Sequence, residues 1–157
     1  VNGTPDRYFW QYFKRTPFYE ENVLEEWYAR VGRMRAALVN SRRHIRAFYE
    51  RLQEKPAIII FGTGVFARKL VHYLAGHAIT VHAFSDNMEA NWGRVVDGYP
   101  VLTLSDGLQR SAERIVLLGI INEHNNRVVR EQFCAAGLRE GFDFFDAKII
   151  FEDIRRD

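Results

Sequence analysis

The sequence has one cysteine and no long apolar run, and each scarcity excludes a class of protein. Cys134 alone forms neither an intrachain disulfide nor a multi-cysteine metal site, which fits a reducing compartment. Because its neighbours are apolar, we expect Cys134 to be a small core residue. No apolar run is long enough to span a bilayer, and no signal-peptide pattern opens the chain. We therefore expect a cytoplasmic protein without a membrane partner.

The charges are nearly balanced, and the composition is that of a globular protein. A formal net charge of +2 is too small to indicate nucleic acid as a partner. Hydrophobic residues make up 47% of the chain and charged residues 27%, which argues against disorder. The first residue is Val1, so we expect a trimmed start or a piece cut from a longer protein. We predict two regions, residues 1–55 and residues 56–157.

Residues 1–55 are predicted to be an aromatic-rich and helical N-terminal segment. Aromatic residues crowd the stretch up to about Glu20, where Pro5 and Pro17 break any regular pattern. We expect this stretch to pack on its own domain, on a second subunit or on a missing neighbouring domain.

Residues 21–54 contain no proline and carry an apolar stripe at helical spacing, which predicts one helix, or two with a break near Asn40 and Ser41. The helix packs on a neighbouring surface, or residues 21–54 pair with a second copy in a homodimer. Its arginines are diluted by glutamates and are interpreted as a solvated face, with arginine stems covering apolar surface. The stripe consists of Leu24, Tyr28, Val31, Leu38, Ile45, Tyr49 and Leu52.

Residues 56–157 alternate between strand-like and helix-like patterns, which predicts an α/β fold. We expect a Rossmann-like parallel sheet with helices on both faces. Such sheets bind ligands beyond the carboxyl ends of their strands, so we expect a ligand at the loops after Phe61, Phe84 and Ile121. Strands are predicted at 57–61, 79–84, 115–121 and 142–145, an extended piece at 95–101, helices at 65–75, 105–111 and 125–136, and a short helix or connector at 149–156.

A glycine turn between the first strand and the first helix of this region predicts a phosphate site. Gly62 permits the tight turn, and Gly64 lacks a side chain, so a phosphate can approach the backbone. Ala67 is small enough for close packing between helix and sheet. The N–H groups and the dipole at the start of the helix attract the phosphate. The alternative is a glycine turn without a ligand.

Asp86 follows the second predicted strand, at about the distance at which dinucleotide-binding proteins carry an acidic residue for the ribose hydroxyls. Its carboxylate would repel a 2′-phosphate, so NAD or a nucleoside diphosphate is favoured over NADP. Asp86 is equally interpreted as a turn residue, because Ser85, Asp86 and Asn87 are all typical of turns.

These motifs together resemble a Rossmann-like module of bacterial sugar-modifying proteins. The resemblance covers roughly Pro56 to Phe145 and rests on the glycine turn, the Phe84–Asn87 run, Trp92-Gly93 and the Gly98-Tyr99-Pro100-Val101 sequence. Similar modules form the N-terminal domains of sugar acetyltransferases, the leading domains of polysaccharide-biosynthesis epimerase/dehydratases, and segments of FkbM-type methyltransferases. The resemblance implies a nucleotide or nucleotide-sugar site lined by Gly62, Thr63, Gly64, Asp86 and Asn87.

Catalytic residues are harder to find. Short-chain-type sugar epimerases and dehydratases need a Tyr-x-x-x-Lys pair, whereas Tyr73 here is followed at that spacing by His77. The histidines at 72, 77 and 82 are too scattered to predict a metal site. Glu123 and His124 follow a predicted strand and are weak acid–base candidates, although an N-cap role for Asn122 explains that motif as well.

Three functional hypotheses follow from the sequence. The first is an NAD-binding or nucleotide-sugar-binding domain within a bacterial sugar- or polysaccharide-modifying enzyme. The second is a non-catalytic interaction or oligomerisation module on a Rossmann scaffold. The third is a small enzyme, of a transferase or NAD-dependent epimerase/dehydratase type, that is completed by dimerisation.

Overall fold

A computed structural model gives the structure of residues 21–151, except for the side chains of residues 21–25 and Trp27. The predicted aromatic stretch up to Glu20 lies outside the described residues, as do residues 152–156 of the predicted C-terminal connector. The chain divides into two compact units, the first ending at Asn40 and the second beginning at Ser41.

Helix α1 runs without interruption over Glu21–Leu52, so the expectation of a single helix is confirmed and there is no break near Asn40. Proline is absent from this span, so its backbone hydrogen bonds continue throughout. In the second unit, Phe48 of α1 is fully buried, with its ring 5.5 Å from the rings of both Phe145 and Phe151. The end of α1 is therefore part of that unit's core.

A buried arginine fixes the end of helix α1. Arg51 is 4% exposed and donates from Nη2 to the carbonyl of Ala112 at 2.8 Å and from Nε to that of Phe142 at 3.3 Å. Its guanidinium also lies 4.5 Å from the centre of the Phe142 ring. A buried charged group is stable only when its donors are bonded, so these contacts specify where the helix ends against the domain.

The second unit contains a six-stranded, mostly parallel sheet, so the predicted α/β fold is confirmed. Its strands alternate with helices along most of the chain. The elements are β1 (Ala57–Phe61), α2 (Val65–Gly76), β2 (Val81–Ser85), a 3-10 turn (Glu89–Asn91), β3 (Val95–Val96), β4 (Tyr99–Leu102), α3 (Leu104–Gly107), β5 (Arg114–Leu118), α4 (Glu123–Ala135), β6 (Phe144–Asp146) and α5 (Ala147–Ile150).

The strand order in the sheet is β3-β4-β2-β1-β5-β6. Strand β1 is central and pairs in parallel with β2 and β5, and Phe61 lies opposite both Ser85 and Leu118. The carboxyl ends of the three strands are therefore level. The chain leaves β1 towards β2 and leaves β5 towards β6, so the strand order reverses between β1 and β5. This is the position at which open α/β sheets bind ligands.

Helices cover both faces of the sheet, as predicted. Ile60 of β1 and Leu70 of α2 belong to the core on one face. Phe61, the next residue of β1, belongs to the core on the other face, where its ring meets that of Phe133 in α4 at 5.0 Å. Because successive side chains of a strand point to opposite faces, a run with no polar residue is what a sheet buried on both faces requires.

The predicted extended piece at 95–101 is confirmed, and the structure adds that it is a hairpin of two short strands. Strands β3 and β4 are antiparallel and join through Asp97 and Gly98, whose φ angles are 50° and 87°. Two successive left-handed residues are what a type I′ hairpin turn needs, and Asp-Gly is a favoured pair for it. The sheet is therefore not wholly parallel.

Several element ends also differ from the predictions. Helix α2 includes Gly76, and the left-handed residue after it is Ala78, with a φ of 58°. Helix α3 is shorter than predicted and begins after Thr103, whose hydroxyl accepts the Asp106 N–H. Strand β5 ends at Leu118 rather than at 121, β2 begins at Val81 rather than at 79, β6 is shifted to Phe144–Asp146, and α4 begins at Glu123 rather than at 125.

The expectation that Cys134 is a core residue is wrong, because its side chain is exposed. The buried face of α4 carries Asn126, Val129 and Phe133. Cys134 follows Phe133 directly and is therefore turned by about 100° around the helix, out of the core. Apolar neighbours in sequence did not reveal which face of the helix is buried.

A close contact between α2 and the end of β5 gives a test of this packing. A Cβ added at Gly119 would lie 2.8 Å from the Cβ of Ala67 and 3.1 Å from Cγ2 of Ile60. Gly119→Ala should therefore lower the free energy of unfolding by about 1–3 kcal/mol, as overpacking does. Urea denaturation measures the change.

The matched control is Gly76→Ala, because a Cβ at Gly76 meets nothing within 4 Å. Alanine is favoured over glycine in helices, so this variant should be as stable as the parent or gain up to about 1 kcal/mol. If Gly119→Ala proved equally harmless, α2 would not be held against β5 as closely as the structure shows.

Candidate functional site

A cavity of about 250 Å³ lies where the loops after β1, β2 and β5 meet. It is at the carboxyl edge of the sheet, beside the reversal of strand order and under the first turns of α4. The sequence singled out this edge, and the structure brings Gly62, Asp86 and Asn87 together there. The lining residues are Phe61, Gly62, Asp86, Asn87, Ile120, Asn125, Val128 and Val129.

The glycine turn has the local geometry expected from the sequence. Gly62 has a φ of 104°, which favours glycine, and its N–H donates to the carbonyl of Ser85 at 2.8 Å. A Cβ at Gly62 would also lie 3.3 Å from the carbonyl oxygen of Gly119. A side chain at this position would therefore both strain the backbone and press the β1 and β5 loops apart.

Gly64 is the N-cap of helix α2. A Cβ built on it meets nothing within 4 Å, so the space beside it is open. Having no side chain, Gly64 cannot cap the first N–H groups of α2, which leaves that task to solvent or to a ligand. Ala67 does not line the cavity; it is fully buried and packs against Gly119, which confirms its predicted packing role.

Hydrogen bonds of Asp86 hold its own loop together and connect it to the loop after β1. Its Oδ2 accepts the Thr63 hydroxyl at 2.7 Å and the Asn91 amide at 3.1 Å, and its Oδ1 accepts the Met88 N–H at 2.8 Å. Its carbonyl accepts Nε1 of Trp92 at 2.7 Å. Asp86 is 9% exposed, so these bonds satisfy a nearly buried carboxylate. These contacts are the ones expected of Asp86 as a turn residue. A contact between its carboxylate and a ribose stays a prediction.

The mouth of the cavity is lined by neutral polar and apolar side chains. Asn87 and Asn125 are exposed there and offer amide donors and acceptors. Ile120 and the 45%-exposed Val128 supply apolar surface. The sequence did not single out Asn125, Ile120 or Val128. Asn125 and Val128 are three residues apart on α4, a spacing that places them on one helix face and would have been a usable signal.

Glu123 and His124 do not line the cavity. Both are in the first turn of α4, where Asn122 caps the helix by accepting the Asn125 N–H at 3.0 Å, as the alternative interpretation expected. The Glu123 carboxylate accepts Nζ of Lys148 at 2.9 Å. Nδ1 of His124 lies 3.5 Å from Nη2 of Arg127. An acid–base role for Glu123 or His124 therefore stays a prediction.

A second polar cluster lies beside the end of β6. Asp146 is 4% exposed and Lys148 is 6% exposed, and Nζ of Lys148 lies 4.0 Å from Oδ2 of Asp146. Burial raises the pKa of the Asp146 carboxyl, against the opposing effects of Lys148, Arg130 and Asn126. Asp146 also caps α5 by accepting the Lys148 N–H at 3.0 Å.

The described side chains of residues 21–151 form no cluster of metal ligands, and the helices of this span include no membrane-spanning one. No three His, Cys, Asp or Glu side chains in that span come together as metal ligands would. None of the helices in the described part of the chain is both long and apolar enough to cross a membrane. No protein-family model matches the chain, and no curated protein is significantly similar to it.

The hydrogen bond between Thr63 and Asp86 predicts that removing the Thr63 hydroxyl lowers the stability of the fold. Thr63→Val keeps the shape of the side chain but leaves Oδ2 of Asp86 without its shortest hydrogen bond. The free energy of unfolding should fall by about 1–3 kcal/mol, measured by urea denaturation. Thr80→Val, at an exposed threonine, is the control and should stay within about 0.5 kcal/mol of the parent. Equal effects of the two substitutions would contradict a stabilising role for the hydrogen bond between Thr63 and Asp86.

The buried carboxyl of Asp146 predicts a pH dependence. A carboxyl whose folded pKa is raised contributes stability below its ordinary pKa of 3.8, and this contribution is lost as pH rises through the raised value. Asp146→Asn keeps a capping oxygen but does not titrate. Its free energy of unfolding, relative to the parent, should therefore increase as pH rises from about 4 to 7.

Asp97 is a control for which the opposite pH dependence of stability is expected. Hydrogen bonds from Arg68 at 2.9 and 2.8 Å lower the pKa of the Asp97 carboxyl, so its contribution is present above the ordinary pKa and lost as pH falls. Asp97→Asn should thus become less stable relative to the parent as pH rises. Denaturation curves at several pH values test both variants, and parallel trends would contradict the assignment.

Proposed function

We propose that residues 56–157 bind a nucleotide, either NAD or a nucleotide sugar, at the carboxyl edge of the sheet. The observation that carries the proposal is the glycine turn at Gly62 and Gly64, which opens on a cavity where the strand order reverses. The open space beside Gly64 admits a phosphate to the N–H groups that begin α2.

The composition of the cavity supports a ligand with a small, largely uncharged portion. Asn87 and Asn125 provide hydrogen bonds, and Ile120 and Val128 provide an apolar wall. Its volume of about 250 Å³ suits one part of a nucleotide, with the phosphates outside it along the start of α2. The fixed Asp86 carboxylate beside the cavity opposes a further phosphate, which favours NAD over NADP.

Binding rather than catalysis is the function we propose for this unit on its own. Glu123 is paired with Lys148, and His124 lies beside Arg127, so neither acid–base candidate reaches the cavity. The domain would then serve as the nucleotide-binding part of a cytoplasmic sugar- or polysaccharide-modifying enzyme. The alternative of a small enzyme completed by dimerisation requires a second subunit to bring reactive groups to the cavity.

We also propose that association through residues 21–54 operates beside nucleotide binding. Met34 and Leu38 of helix α1 are 60% and 61% exposed, and both belong to the unit that ends at Asn40. Large apolar side chains exposed in a row on a helix are typical of a surface that packs on a partner. This surface shares no residue with the cavity.

Nucleotide binding is tested by a thermal-shift panel of NAD, NADH, NADP, AMP and UDP, CDP and GDP sugars. A ligand at about 100 times its dissociation constant should stabilise the fold by about 2.7 kcal/mol, which raises the Tm by several degrees. We expect NAD or a nucleotide sugar to give the largest shift, with NADP weaker than NAD. A flat panel would contradict the proposal and favour an interaction module instead.

Gly64→Val locates the binding site. The substitution places a branched side chain in the open space beside the first turn of α2 and should weaken binding at least about tenfold while the protein stays folded. Gly76→Val is the matched control, because its Cβ also meets open space, at the other end of the same helix. Equal affinities in the two variants would exclude the glycine turn as the phosphate site.

A further inference from the structure

Apolar residues recur every seven positions along helix α1. Because the helix is continuous, they form a single stripe along it. Because Glu21–Leu52 is one uninterrupted helix, residues seven apart stay on one face. We define the stripe here by two adjacent rows of this repeat, the second of which has a polar residue only at Ser41. The first row is Leu24, Val31, Leu38, Ile45 and Leu52, and the second is Trp27, Met34, Ser41 and Phe48.

The two halves of the stripe differ in burial. After Ser41, Phe48 is fully buried and Leu52 packs beside it against the same core. Before Asn40, Met34 is 60% exposed and Leu38 is 61% exposed. An amphipathic helix draws most of its stability from packing of its apolar face, so the first half of α1 has a packing surface that residues 21–151 leave largely uncovered.

We propose that a second copy of this chain covers the first half of α1, with the two helices running antiparallel. The inference rests on the association through residues 21–54 proposed above, and it adds the partner and its direction. A two-fold axis would cross the helix between Val31 and Met34. In this register Val31 lies opposite Met34 of the second copy, and Leu38 lies opposite position 27 of the second copy.

The order of charges along the helix favours this direction. Acidic residues come first, at 21, 25 and 26, and the arginines at 30, 33, 35, 42 and 43 come later. In the antiparallel register the acidic start of each helix lies beside residues 39–44 of the other, which include two arginines. A parallel pair in register would instead place the acidic start of each helix beside the acidic start of the other. Charge complementarity of this kind selects orientation.

The mass of the full chain in solution is the first measurement. Sedimentation equilibrium should give twice the chain mass of 18.4 kDa. Leu38→Lys places a charge in the stripe of both copies and should raise the dissociation constant at least about 100-fold. The matched control is Val39→Lys, because Val39 is the next residue, is 60% exposed and lies off the stripe. It should dimerise like the parent.

Disulfide trapping determines the direction. Cys134 is exposed, so the variants are made in a Cys134→Ser background. In the antiparallel register two copies of position 38 are about 16 Å apart, too far for a disulfide, so Leu38→Cys alone should stay uncrosslinked. Mixed with a Trp27→Cys chain, it should form a crosslinked dimer under mild oxidation.

Each contrary result has a distinct meaning. A monomer would overturn both the association and the second copy as its partner, and would favour residues 1–20 as the cover. A dimer that Leu38→Lys and Val39→Lys weaken equally would place the interface off the stripe. A disulfide in Leu38→Cys alone would show a parallel pair and overturn the antiparallel inference only. None of these results bears on the nucleotide panel.

Discussion

The close approach of helix α2 and the β5 loop to the end of β1 is the constraint on which the candidate site depends. Gly62, Ala67 and Gly119 meet there, and a single added methyl group at Gly119 would lie 2.8 Å from the Cβ of Ala67. Small residues at all three positions let the start of α2 come down onto the sheet edge. The helix N-terminus and the cavity therefore lie on the same edge of the sheet, as a bound phosphate group and its nucleoside require.

Asp86 organises two loops through hydrogen bonds within the protein. Its oxygens hold Thr63 of the glycine turn and Asn91 of the 3-10 turn, and its carbonyl holds Trp92. The β1 and β2 loops are thereby fixed to each other before any ligand arrives. A pre-formed wall of this kind reduces the entropy that binding must overcome, which is why a structural role for Asp86 is compatible with a nucleotide site beside it.

The apolar stripe of helix α1 is buried in its second half and largely exposed in its first half. Its last turns complete a core, where Phe48 meets Phe145 and Arg51 bonds to two loop carbonyls. Its first turns present Met34 and Leu38 to the surroundings. The heptad repeat does not change between these halves, so the pattern alone cannot say which half is covered by its own domain. The contacts of Phe48 and Arg51 with residues distant in sequence assign the second half to the core.

The sequence by itself determined the α/β class, the tight turn at Gly62 and the small contact at Ala67, because apolar periodicity and glycine geometry are local properties. The tertiary structure decided the rest. Whether Cys134 faces inward depends on how α4 is rotated against the sheet, and the contact between Glu123 and Lys148 joins residues that are distant in sequence. The hairpin at Asp97 had a local signal, because Asp-Gly is a favoured pair for a type I′ turn. That Asn125 lines the cavity depends instead on how α4 docks beside the loops after β1 and β2. Such docking joins residues far apart in the chain, and no local pattern records it.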